Sequence, residues 1–125
     1  MTAANMPARY VLIVEDEMLI ALMLQDMVAE MGLSVAGMAH SLGAGLDLAR
    51  TVDVQLAILD INLNGEEAYP IADVLRSRGI PFIFSTGYGA GGIKAEYHSA
   101  PKLVKPYQQE LLNSAIEAAL SNARP

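Results

Sequence analysis

Four short apolar runs in this chain each end in a group that does chemistry. YVLIV, Tyr10–Val14, is followed by Glu15-Asp16-Glu17. LAIL, Leu56–Leu59, is followed by Asp60 and then Ile61-Asn62. IPFIFS, Ile80–Ser85, runs into Thr86-Gly87, and Leu103-Val104 runs into Lys105-Pro106. Brought to one edge, these supply three carboxylates, a hydroxyl and an ammonium. Asp60 follows four apolar residues and has no neutralising partner near it in sequence. A carboxylate ending a buried strand is unfavourable unless a cation answers it. Glu15, Asp16, Asp60 and a backbone carbonyl, that of Asn62, are hard oxygen ligands suited to Mg²⁺. With Mg²⁺ in place, Asp60 can attack a phosphoryl group and become an aspartyl-phosphate. Such a transfer is mostly a matter of placing charge around the moving oxygens. Mg²⁺ would take one oxygen, the Lys105 ammonium a second, and the Thr86 hydroxyl with backbone N–H groups near Gly87 the third.

Taken singly, each of these residues has a plainer role. Acids after a strand commonly cap or precede a helix, which suits Glu17 and Glu66-Glu67. Lys105 alone is a solvated loop residue and Thr86 a turn hydroxyl. The conjunction asks for a fold that gathers them. The apolar runs, with Leu33–Met38 as another, read as strands buried on both faces. Between them lie helical spacings. In Glu17–Met31, residues Ile20, Met23, Leu24, Met27 and Met31 share one face, and Gly32 supplies a stop. Ser41–Arg50 reads as a helix capped by Ser41. Glu66–Arg78 reads as another, ending at Gly79, with Pro70 near its first turn or kinking it. The last, Tyr107–Asn122, aligns Leu112, Ile116, Ala119 and Leu120. Alternation of this kind predicts a parallel sheet with helices on both faces, joined by right-handed crossovers. Polar chemistry then gathers at the carboxyl ends of the strands.

With 125 residues and 53% hydrophobic content, one globular domain is expected: residues 1–8 as a tail, 9–122 as the domain, and no output domain after the last helix. A net charge of −6 argues against nucleic-acid binding. The chain has no Cys, hence no disulfide framework and no thiolate metal site. The N-terminus lacks a signal-peptide core and no run reaches a membrane span, so a cytoplasmic protein is expected.

The stretch FIFSTGYGAGG, Phe82–Gly92, looks like a phosphate-holding loop. No G-x-G-x-x-G follows the first strand, however, so a dinucleotide is not indicated. The glycines instead let backbone approach a phosphoryl group on Asp60, and Gly89, Gly91 and Gly92 loosen the segment beyond. Glu15-Asp16, Asp60, Thr86 and Lys105-Pro106, in that order and spacing, resemble the response-regulator receiver domain over nearly the whole chain. That resemblance implies a flavodoxin-like fold with five helices and a five-stranded parallel sheet of order 2-1-3-4-5. It also implies Mg²⁺ dependence and phosphorylation by a histidine kinase or histidine phosphotransfer protein. PFIFSTGYG is similar to the Pro-Phe-x-Phe-Ala-Thr-Gly-Tyr/Gly signature of the FAT GUY subgroup, with Ser85 in place of Ala. DINLNGEEAYPIADVLRSRGIPF is similar to that subgroup too, and to the receiver part of alphaproteobacterial anti-anti-sigma regulators. The subgroup works in the general stress response with kinases of the HWE and HisKA2 types, and a monomer is expected.

The chain also departs from the family. Asn62-Leu63-Asn64-Gly65 stands where a Met-Pro turn is usual, and Lys102 occupies the position of the aromatic switch residue. Tyr88 is the candidate to report the state of the site instead. Met18 and Leu22 point away from the expected core face of the first helix, near Asp16, and suit a partner-docking surface. Two other readings compete. A haloacid-dehalogenase-like phosphatase needs a second acid two residues after the nucleophile, where this chain has Asn62. A phosphorylation-independent binding module has no need of the full set of five residues.

Overall fold

The computed structural model describes residues 9–87 and 93–122. Five strands form one parallel sheet: β1 (Tyr10–Val14), β2 (Ser34–Ala39), β3 (Leu56–Asp60), β6 (Phe82–Thr86) and β7 (Lys102–Val104), in the order β2-β1-β3-β6-β7. Counting only these strands, that is the order 2-1-3-4-5. A small antiparallel pair, β4 (Asn62–Leu63) and β5 (Glu66–Glu67), follows β3. The helices are α1 (Met18–Ala29), α2 (Leu42–Thr51), α3 (Tyr69–Ser77) and α4 (Gln109–Asn122).

Strand alternation sorts the apolar runs into two cores. Leu12, Val14, Ala57, Leu59, Phe82 and Phe84 face α2 and α3. Val11, Ile13, Leu56, Ile58 and Ile83 face the other way, against α1 and α4. Every residue of β3 and β6 is buried, which is why these strands read as unbroken apolar runs. α2 lies so close to α3 and to the sheet that a Cβ on Gly45 would come within 2.6 Å of Ile71 Cδ1 on α3 and 3.1 Å of Val14 Cγ1 on β1. Ser41 caps α2 as expected, its hydroxyl accepting from the Ala44 N–H at 3.2 Å. Arg78 donates to the carbonyls of Ala49 and Val52 at 2.6 and 2.9 Å, tying the end of α2 to α3.

Three expectations are corrected. The inner face of α1 is Ala21, Leu24 and Val28, whereas Met23 is 41% exposed and Ile20 and Met27 are only half-buried. The helix sequence MLIALMLQDMVA is apolar almost all round, so spacing alone does not choose a face. Glu66-Glu67 belong to a hairpin and not to a helix. Asn64 and Gly65 take φ of 53° and 89°, the left-handed pair that a two-residue type I′ turn requires. The following helix starts at Tyr69, with Pro70 in its first turn. Five helices were expected, but among the described residues there are four. Between β6 and β7 the described chain makes a single 3₁₀ turn, Ala95–Tyr97. Tyr88, Gly89, Gly91 and Gly92 lie outside the described residues.

Candidate functional site

Parallel pairing in register sets the ends of β1, β3, β6 and β7 side by side. Asp60 stands opposite Ser85, and Thr86 opposite Val104. Glu15 and Asp16 follow β1, and Lys105 follows β7, where its N–H is held by the Thr86 carbonyl at 3.0 Å. The cleft that results, of about 490 Å³, is lined by Asp16, Asp60, Asn62, Thr86, Gly87 and Lys105, and also by Glu17, Asn64, Glu67 and Ile93. The sequence-expected site residues within the described chain therefore converge, with Glu15 just behind. Met18 and Leu22 lie outside the cleft on α1, 52% and 43% exposed.

Lys105 Nζ donates to Asp60 Oδ2 and to Glu15 Oε1, each at 3.0 Å. Asp60 is buried and also accepts from the Asn62 N–H through Oδ1 at 3.2 Å. Glu15 is 1% exposed, and its second oxygen accepts from the Glu17 N–H at 3.1 Å. Asp16 reaches across to the hairpin, where Oδ2 accepts from the Asn64 N–H at 3.0 Å. The turn is braced from within by the Gly65 N–H on Asn62 Oδ1 at 2.7 Å. Asn62-Leu63-Asn64-Gly65 thus forms a wall of the cleft. At the position of the absent aromatic switch, Lys102 donates to the carbonyls of His98 and Ala100, both at 2.6 Å.

Glu15, Asp16 and Asp60 each offer a carboxylate oxygen within 4.8 Å of the others. Three hard anionic donors with a single ammonium between them fit a small divalent cation. Their charge states carry the same imprint. Burial, and a hydrogen bond with Asp16, push the Glu15 carboxyl from 4.5 up to about 7, against the Glu17 N–H and Lys105. Burial alone would raise Asp16, but its bonds to Glu15 and the Asn64 N–H bring it below the ordinary aspartate value. Burial alone would lower Lys105, yet its bonds to Asp60 and Glu15 hold it well above the ordinary lysine value.

A pH dependence follows. Between 4.5 and about 7 the folded chain keeps a proton on Glu15 that the unfolded chain has released. The contribution of this group is therefore greatest below that window, falls as pH rises through it, and is level above it. The decline is on the order of 3 kcal/mol. Urea unfolding of the wild type and Glu15→Gln, without divalent cations, measures it: the difference in stability should shift against the wild type across the window. A difference that stays flat rejects the assignment.

The residue that sequence reasoning missed is Tyr107. The sequence pattern makes it the first residue of the last helix, but α4 begins at Gln109. Its hydroxyl lies 2.5 Å from Ser85 Oγ and 3.4 Å from Glu15 Oε1. Burial raises its phenol to about 12, against the Ser85 bond. A signal was present in Ser85, a hydroxyl in a wholly buried strand that needs a partner.

The family model for the response regulator receiver domain matches residues 11–117. Among curated proteins, the transcriptional regulatory protein PdtaR of Mycobacterium tuberculosis is 31% identical over 120 residues, covering 93% of this chain and 58% of the relative. The chain thus spans little more than half the length of that relative. Among solved structures, SdrG from Sphingomonas melonis Fr1 superposes with a TM-score of 0.81 at 34% identity, over 90% of this chain and 97% of SdrG. The BeF3-activated conformation of SdrG gives 0.78 at 35% identity, over 92% of this chain and 99% of that one. The PhyR stress response regulator gives 0.80 at 30% identity, over 93% of this chain and 46% of PhyR.

Proposed function

This chain belongs to the response-regulator receiver family, and on that premise we propose that it is a phosphorylation-driven signalling receiver with Asp60 as phosphoacceptor. The observation that carries this reading is the buried Asp60 carboxylate facing an open cleft with Lys105 Nζ 3.0 Å away. As a receiver it is not a conventional enzyme: it acts on its own side chain. A histidine kinase or phosphotransfer protein presents a phosphohistidine. An Asp60 oxygen attacks phosphorus, the O–P bond forms as the N–P bond breaks, and the electron pair returns to the imidazole. Lys105 is placed to follow a phosphoryl oxygen, and Thr86, at the end of the neighbouring strand, also lines the cleft. Asp16, Asp60 and the Asn62 carbonyl would hold Mg²⁺, with Glu15 behind them. When bound, the ion supplies positive charge that the site otherwise draws from Lys105 alone.

The reading extends to a stand-alone receiver of the FAT GUY subgroup, monomeric and cytoplasmic, working in the general stress response with HWE or HisKA2 kinases. The likeness to the PhyR stress response regulator supports the stress-response part of this reading. The domain would comprise residues 9–122, and its output would be a protein contact or onward phosphotransfer. Tyr88 remains the proposed reporter of the state of the site, and Gly87 the loop residue whose backbone approaches the phosphoryl group.

Amide NMR during titration with Mg²⁺ and then beryllofluoride tests the core of this reading. Shifts centred on Asp16, Asp60, Thr86 and Lys105 are expected. A silent spectrum would leave a binding module that works without phosphorylation.

For the docking face, Met18, Leu19, Leu22 and Met23 are all exposed on α1. Beside them an apolar groove of about 330 Å³ runs between Ile20, Met23 and Pro106. Leu22→Asp should slow transfer from a cognate kinase at least about tenfold, a loss of roughly 1.4 kcal/mol. Phosphorylation by phosphoramidate, which needs no docking, should not change. Equal kinase transfer to wild type and variant would remove Leu22 from the interface.

A further inference from the structure

Beneath the acidic cleft lies a polar contact that phosphoryl acceptance, as described above, leaves unused. Ser85, 1% exposed, sits beside Asp60 in the sheet register. Its Oγ is 2.5 Å from the Tyr107 hydroxyl, which is 3.4 Å from Glu15 Oε1. That same oxygen accepts from Lys105 Nζ at 3.0 Å, and Nζ reaches Asp60 Oδ2 at 3.0 Å. With the single Tyr107 proton donated to Glu15, Ser85 is the donor to Tyr107.

We infer that Ser85 and Tyr107 form a clasp that positions Lys105 and Glu15 for phosphoryl transfer. The inference rests on the proposed role of Asp60 and adds two positioning residues to it. Its logic is one of shared acceptors. Lys105 carries a compact charge on a flexible stem, and where its ammonium rests is set by what competes for the carboxylates around it. Glu15 is fixed at one oxygen by the Glu17 N–H. At the other, the Tyr107 hydroxyl shares the oxygen that would otherwise belong to the ammonium alone. Removing the phenol oxygen leaves Ser85 buried without its partner and frees Glu15 to draw Lys105 away from Asp60. Tyr107 is also two residues beyond Lys105, so the clasp anchors the segment that carries the ammonium. Packing would explain an aromatic ring here, but not a hydroxyl matched to Ser85, which stands where the FAT GUY signature has Ala.

The test is saturation kinetics of phosphorylation by phosphoramidate with Mg²⁺, for the wild type, Tyr107→Phe, Ser85→Ala and the double variant, each well below its unfolding temperature. The maximal rate should fall about five- to thirtyfold in each single variant, with the half-saturating donor concentration little changed. The double variant should be no slower than the slower single one, because one clasp is broken either way. Loss of thermal stability without a change in maximal rate would reduce the pair to packing and overturn the inference. Independent, multiplying effects would overturn it as well. A wild-type chain that takes up no phosphoryl group on Asp60 would overturn the underlying reading and the clasp together, whereas normal wild-type uptake with unaltered variants sinks the clasp alone. If Tyr107→Phe does not fold, Ser85→Ala, which removes only an oxygen, decides the matter.

Discussion

Asp60→Asn should abolish phosphoryl uptake, lowering the rate with phosphoramidate by roughly a thousandfold or more, to the level of the uncatalysed background. The substitution keeps size and shape, so the buried end of β3 should survive it. An amide oxygen is a poor nucleophile toward phosphorus, and the charge that the site concentrates there is lost. Of the two carboxylates that hold Lys105 at 3.0 Å, only Glu15 would remain. Glu15 cannot take over, because it is 1% exposed and both of its oxygens are engaged by Lys105, Tyr107 and the Glu17 N–H. Intact-mass measurement after incubation with donor and Mg²⁺ reads the outcome directly. A variant that still gains a phosphoryl group would show the acceptor to be another residue.

The largest effect on stability is expected at Tyr97. Its side chain is wholly buried and lies between α3 and the sheet. The ring stacks on Tyr69 with centroids 5.4 Å apart and meets Phe84 and Phe82 edge-on at 5.5 and 5.9 Å. The Arg76 guanidinium sits 4.2 Å from its centroid, and its hydroxyl donates to Asp73. Tyr97→Ala empties this space and should cost about 3–5 kcal/mol. That is a large share of the ~5–15 kcal/mol typical of a folded domain. Tyr97→Phe, which keeps the ring, should cost only about 1 kcal/mol. Urea unfolding followed by circular dichroism measures both. An alanine variant as stable as the phenylalanine one would mean that the ring is not a hub.

How much of this could be read beforehand depended on how local each signal was. β1, β3 and β6 were legible because parallel strands buried on both faces leave unbroken apolar runs, and the residue ending each run becomes conspicuous. The same logic exposed Asp60 and Lys105. The face of α1 was not legible, because a helix with apolar residues all round satisfies several faces equally and the sheet selects small Ala21. Asn64-Gly65 is a hairpin signal, but the acids that follow it equally suit the start of a helix, and the sequence alone favours neither. The Tyr97 hub joins residues more than a dozen positions apart, and so does the Ser85–Tyr107 pair. Neither leaves a periodic trace, since partner choice at that range is decided by packing.

The Asn64-Gly65 turn also gives the molecule a clock. It is the single Asn-Gly pair in the chain, and asparagine is among the thermolabile residues. In this pair the glycine nitrogen can attack the asparagine amide, expel ammonia and leave an imide that opens to aspartate or isoaspartate. The bond from the Gly65 N–H to Asn62 Oδ1, at 2.7 Å, restrains the attacking nitrogen, so ageing should run slower in the folded chain than in an unfolded one. When it does occur, a new carboxylate arises on the residue whose N–H now steadies Asp16. Old and fresh protein would then differ at the mouth of the cleft, in a stock that looks homogeneous by size.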